Sequence, residues 1–167
     1  MGSYISLPIL MLAAALQASI VPQFGFLGGR PDLVFLCVVA WAFNAPLRQA
    51  LVWAFVGGIL QDLLSAAPTG VSVIGLVLIA FALDLFRQQV YRVGLITIIV
   101  TMLAGSLVQQ VLVMGLLLVS GFDIPIITSL GYVVFPTVVY NLAAILPVYV
   151  VLRWLQKRVA GRDAFFT

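Results

Sequence analysis

Charge in this chain is pushed to the ends of six apolar runs, and that segregation constrains the fold more than any other feature. The runs cover about Tyr4–Ile20, Leu33–Ala45, Gln49–Leu64, Val71–Phe86 and Val93–Val119; the last starts between Pro125 and Leu130 and ends near Leu155. A membrane-crossing helix takes about 20 mostly apolar residues, within roughly 17–25. The runs reach or approach that length, and the second is the short one. Segments with turn chemistry separate them, among them the Gly- and Pro-rich stretch from Val21 to Asp32, Asn44-Ala45-Pro46 and Ser65-Ala66-Ala67-Pro68-Thr69-Gly70. Gly and Pro punctuate helices by freeing or blocking backbone angles. No period-two alternation is present, which argues against a lipid-facing β-barrel. The expected fold is an all-α integral membrane protein of about six transmembrane helices, forming a single transmembrane domain over residues 1–167.

Only 8% of the residues are charged and 64% are apolar. A soluble domain carries about 25% charged residues, so this chain could not cover a water-facing surface. A soluble module, a disordered chain and a nucleic-acid-binding domain are all excluded, despite a sequence pI near 9.4. The chain has no His and no Glu, and Cys37 is its single cysteine. That inventory removes an intrachain disulfide, a metal site built on His/Cys clusters, and Ser-His-Asp or Cys-His nucleophile systems. Neither catalysis nor a cofactor is expected.

The basic residues orient the runs. With the N-terminus inside and six crossings, Arg48, Arg87, Arg92, Arg153, Lys157, Arg158 and Arg162 fall on the inner side and Arg30 alone on the outer side. This is the positive-inside pattern, so both termini are expected in the cytoplasm. Trp53, Tyr91 and Trp154 fall near the inner ends, where amphipathic rings settle at headgroups. Met1-Gly2-Ser3-Tyr4 lacks the basic start of a signal peptide, so the first helix is read as retained.

Asp62 is the most informative residue, because an ionisable group at membrane depth is costly and marks a site by default. One reading makes it a ligand-binding or proton-carrying carboxylate. The other makes it an ion pair or cap that fixes the outer loop to the third helix, with Arg30 as partner. The structural reading is the expectation, since one carboxylate without a second polar cluster seldom builds a transport path. Asp32 is placed to cap the second helix. Asp84 and Arg87 share a helical face at spacing i,i+3 and are read as an interfacial pair. An Asp62/Asp84 protease dyad is rejected, because the two would lie at opposite membrane depths. Gln109, Gln110 and Asn141 are read as hydrogen-bonding glue between helices, and Ala50/Ala54/Gly58 and Ala14/Ala18 as ladders that let backbones approach. Pro136 and Pro147, flanking Asn141, predict a bent or locally unwound sixth helix. The basic tail from Arg153 to Arg158 serves as an inner anchor or docks a partner or anionic lipid.

Three stretches together resemble the family of rod shape-determining proteins called MreD. They are Arg30-Pro31-Asp32-Leu33; the segment Gly57-Gly58-Ile59-Leu60-Gln61-Asp62-Leu63-Leu64 with Pro68 and Gly70 after it; and Phe135-Pro136-Thr137-Val138-Val139-Tyr140-Asn141 followed by Pro147. Gln61 departs from the family, which more often has an apolar residue there. The resemblance implies a non-enzymatic bacterial inner-membrane protein of the cell-elongation machinery. Its implied partner is MreC, and through it or directly RodA, a class B penicillin-binding protein and the MreB filament. It also implies a fold like that of the substrate-binding subunits of energy-coupling-factor transporters. The competing reading is therefore a subunit that binds a vitamin-like small molecule, with Asp62, Arg30, Gln109, Gln110 and Tyr132 around the ligand. Arg30, Asp32, Gly57, Gly58, Asp62, Pro68, Pro136, Asn141 and Pro147 are the candidate structural or interaction residues.

Overall fold

The second apolar run is too short to cross a bilayer by itself, and the fold is arranged around it. The computed structural model describes residues 5–19, 29–64, 70–89, 95–121 and 129–163. They form α1 (Ser6–Ser19), α2 (Leu33–Ala42), α3 (Leu47–Leu64), α4 (Val71–Gln89), α5 (Leu95–Val119) and α6 (Phe135–Asp163), with a π-helical turn, Leu130–Val134, leading into α6. No strand occurs among the described residues. Three helical segments, Leu47–Leu64, Ile96–Val119 and Gly131–Arg158, are long and apolar enough to cross a membrane. The helices lie within a few residues of the apolar runs, except that α6 continues to Asp163.

α2 is apolar all round and buried all round. Every residue from Val34 to Ala42 is enclosed, by α1, α3, α4 and α6. A helix without a polar face belongs in an interior of this kind. At about 1.5 Å per residue it spans only about 15 Å. Cys37 sits on it, buried against helices rather than lipid. After Ala42 the chain turns at once: Asn44 N and Ala45 N both donate to the Trp41 carbonyl. Pro46 then starts α3, its carbonyl accepting from Gln49 N and Ala50 N.

Close approach is provided by glycines on α3. A Cβ on Gly57 would meet the Val34 and Val38 methyls of α2 at 3.0 Å, and one on Gly58 would meet Val73 Cα of α4 at 2.5 Å. The Ala50/Ala54/Gly58 ladder is buried within this chain, whereas in the other ladder Ala14 is buried and Ala18 exposed. Trp53 is not at a headgroup surface as expected. It is fully buried and stacked on Trp41, with centroids 4.1 Å apart and planes 10° apart. The physical reason is the packing of α3 on α2, which sets Trp53 against the last turn of α2, where Trp41 lies. Trp154 is exposed, with the Arg158 guanidinium 3.8 Å from its ring centroid. Tyr91 lies outside the described residues.

The sixth helix carries its irregularity where the prolines predict it. The π turn Leu130–Val134 runs straight into α6, and Pro136, two residues after it, has no N–H to donate back into that turn. Pro147 lies inside α6 and removes the donor that the Ala143 carbonyl would use.

Candidate functional site

A short buried helix leaves its end groups away from water, and unsatisfied N–H groups at membrane depth cost several kcal/mol each by order of magnitude. The N-terminus of α2 meets this demand with side chains from its neighbours. Asp32 caps the helix as the sequence predicts: Phe35 N donates to its Oδ1 at 3.0 Å. Val34 N donates to Gln17 Oε1 of α1 at 3.1 Å. Asp32 N donates to Asn141 Oδ1 of α6 at 2.8 Å. Asn141 Nδ2 in turn donates to Ser106 Oγ of α5 at 2.9 Å. Gln61 Nε2 of α3 donates to Asp32 Oδ2, while Gln61 Oε1 is buried without a partner among the described residues. Four other helices thus bond, directly or through Asn141, to the first turn of α2.

The segment before α2 is seated on the start of α6. Arg30 N donates to Thr137 Oγ1 at 3.3 Å, and Gly29 packs so tightly on Pro136 and Thr137 that a Cβ there would lie 2.7 Å from Thr137 N. This places Pro136 at the site as a contact surface. The Arg30 side chain itself is exposed.

Asp62 is 3% exposed. Its partners are backbone groups at the start of α4 rather than Arg30. Gly70 N donates to Oδ2 at 2.6 Å and Ser72 N to Oδ1 at 3.0 Å. The carboxylate therefore caps α4 from α3, where free N–H groups and the helix dipole favour negative charge. Gly70 makes this possible by adopting φ 106°, a left-handed conformation suited to glycine. The expected ion pair gives way because two fixed N–H donors meet both oxygens without drawing a charged guanidinium out of water. The cap half of the expectation holds: Asp62 ties the α3–α4 connection together. Pro68 lies outside the described residues, as does the side chain of Arg87, the expected partner of Asp84.

The remaining candidates are dispersed. Gly57 and Gly58 serve packing between α3 and its neighbours, and Pro147 lies well along α6 from Asn141. Tyr132 is 61% exposed. Gln109 is buried against α4, and Gln110 is half-buried beside it. None of the polar residues offered for a vitamin pocket is among the described lining of the groove between α4 and α5.

The opposite end of α2 is met in the same fashion. Gln156 Nε2 of α6 donates to the Trp41 carbonyl at 3.0 Å, and Asn44 Nδ2 donates to Tyr149 Oη at 3.3 Å. α6 therefore brackets α2, with Asn141 at one end and Gln156 at the other. Sequence reasoning missed Gln17, Ser106, Thr137 and Gln156. For Gln17, Ser106 and Thr137 the available signal was a polar residue in an apolar stretch, which marks an internal position without naming the partner; Gln156 was hidden among the charges of the basic tail.

The sequence model for the rod shape-determining protein MreD matches residues 1–159. The chain belongs to the MreD family. It is accordingly a rod shape-determining membrane protein, and the polar end just described lies wholly within the MreD match. No curated protein and no solved structure gives a significant match.

Proposed function

We propose that this MreD-family chain is a non-enzymatic, multi-pass scaffold in the bacterial inner membrane. It holds MreC within the cell-elongation machinery, next to RodA, a class B penicillin-binding protein and, on the cytoplasmic side, MreB. The observation that carries this reading is how the polar end uses its hydrogen bonds. Asp32, Asp62, Gln17 and Asn141 are directed at helix ends and at one another, so the polar inventory makes shape rather than a reacting centre. Both termini belong in the cytoplasm by the distribution of basic residues.

Affinity purification of the tagged chain from membranes in mild detergent, with mass spectrometry of what accompanies it, tests this. Recovery of MreC, with or without RodA and its penicillin-binding partner, is the expected outcome. Recovery of ATPase and coupling subunits, or of a bound vitamin, would replace the scaffold with a transporter subunit.

A further inference from the structure

The outer surface of α6 changes character along one row. Leu146, Val150, Trp154 and Arg158 recur at spacing four and are all exposed, so the row passes from aliphatic to aromatic to cationic. Beside it Arg153 and Lys157, again four apart, are exposed as well. The other side of the same turns faces the bundle: Leu152 is buried, and Gln156 donates to the Trp41 carbonyl of α2. That bond sets the cations on the side of α6 away from α2, at the end of the apolar Gly131–Arg158 span. The Arg158 guanidinium lies 3.8 Å from the Trp154 ring centroid. Such a contact keeps the charge and leaves N–H donors for an anion. The Arg153 guanidinium lies 6.0 Å from the Tyr149 ring centroid. None of Arg153, Lys157 and Arg158 is in an ion pair among the described residues.

A free phosphate would meet the cations but not the aliphatic row that leads to them. An acidic protein segment in water would likewise stay clear of Leu146 and Val150. A phospholipid meets both parts. Its acyl chain lies along Leu146 and Val150, its phosphate oxygens take charge-assisted hydrogen bonds from the basic side chains, and the indole sits between them at headgroup level. A zwitterionic headgroup brings an ammonium of its own, so unpaired cations favour an anionic one. We infer that this face of α6 seats an anionic phospholipid, with Arg153, Lys157 and Arg158 around the phosphate and Trp154 at the boundary with the acyl chain. The inference goes beyond the scaffold reading above and does not depend on it.

The test uses the full chain in phosphatidylcholine nanodiscs. Trp154 is exposed while Trp41 and Trp53 are buried, so bromine carried on lipid acyl chains quenches chiefly Trp154, and Trp154→Phe gives the background. Brominated phosphatidylglycerol as a minor component is compared with brominated phosphatidylcholine at the same fraction. The anionic lipid is expected to quench several times more strongly. Lys157→Gln is expected to lower that preference about fivefold, the effect of one basic residue at a membrane surface, and Lys157→Arg to keep it. Arg48 is exposed near the same end of the bundle but on α3, so Arg48→Gln is expected to leave the preference unchanged. Equal quenching by the two labelled lipids overturns the site; this wild-type comparison stands even where a substitution unfolds the chain. Equal losses in Arg48→Gln and Lys157→Gln show a diffuse positive field and also overturn it. Inorganic phosphate that abolishes the preference at constant ionic strength replaces the lipid with a soluble anion. Loss of the quenching when MreC is reconstituted alongside assigns the face to a protein contact instead.

Discussion

α2 and α5 have the same kind of sequence and opposite surroundings. Both are largely apolar, although α5 also carries Ser106, Gln109 and Gln110. α2 has 10 residues, of which Val34 to Ala42 are enclosed; α5 has 25 and presents Ile96, Val100, Val111 and Val119 outward. Length separates them. A 25-residue helix spans roughly 38 Å, so its ends clear a hydrocarbon core of about 30 Å and find water or headgroups. A 10-residue helix ends inside, and protein must satisfy its termini. That is why the polar residues gather around α2: Asp32, Gln17 and Asn141 at one end, and Gln156 at the other, do what water does for α5.

Substitutions matched across the two helices sharpen this contrast. Leu36→Ala on α2 is expected to have the largest effect, about 2–5 kcal/mol, the range for a buried leucine that leaves a cavity, read as a lowered unfolding midpoint in detergent. Asp62→Ala strips two backbone donors at the start of α4 and should cost about 2 kcal/mol; Asp62→Asn keeps one good acceptor and loses less. Calorimetry or a thermal-shift assay on both variants checks the order, and equal stability of Asp62→Ala and wild type would remove the capping role. Asn141→Leu breaks one link to α2 and one to α5, and is expected to lose about 1–2 kcal/mol, since a membrane hydrogen bond contributes roughly 0.6 kcal/mol on average and about 1.7 kcal/mol at most. Gln156→Leu loses a single bond to the Trp41 carbonyl, about 0.5–1 kcal/mol. Leu107→Ala on the exposed face of α5 should stay within about 0.5 kcal/mol. If Leu107→Ala costs as much as Leu36→Ala, the two helices are not in different environments and the comparison breaks.

Much of this was legible before any coordinates. The helices follow the apolar runs, because Gly, Pro and polar residues interrupt them where turns occur. The Asp32 cap was legible because Arg-Pro-Asp-Leu places a capping carboxylate directly before an apolar run, a purely local relation. The Asp62 cap was legible only in kind. Its donors, Gly70 and Ser72, lie 8 and 10 residues on, and their exposure to the carboxylate depends on how α3 and α4 dock through Gly58 and Val73. Arg30 looked like the partner because charge is visible in a sequence and a free backbone N–H is not. Trp53 was misplaced for a related reason: its distance from the end of its own helix pointed to the headgroups, while its neighbour Trp41 comes from a different helix.

What the sequence alone determined is the class of solvent and the class of structure, since a chain with 8% charged residues has to cover itself with lipid and satisfy its backbone within helices. What only the tertiary structure decided is which apolar helix is inside. Transfer from lipid to a protein interior changes the environment of a leucine very little, so apolar character cannot choose between α2 and α5. The choice falls to packing and to the hydrogen bonds at helix ends, and those are made between residues up to 115 positions apart.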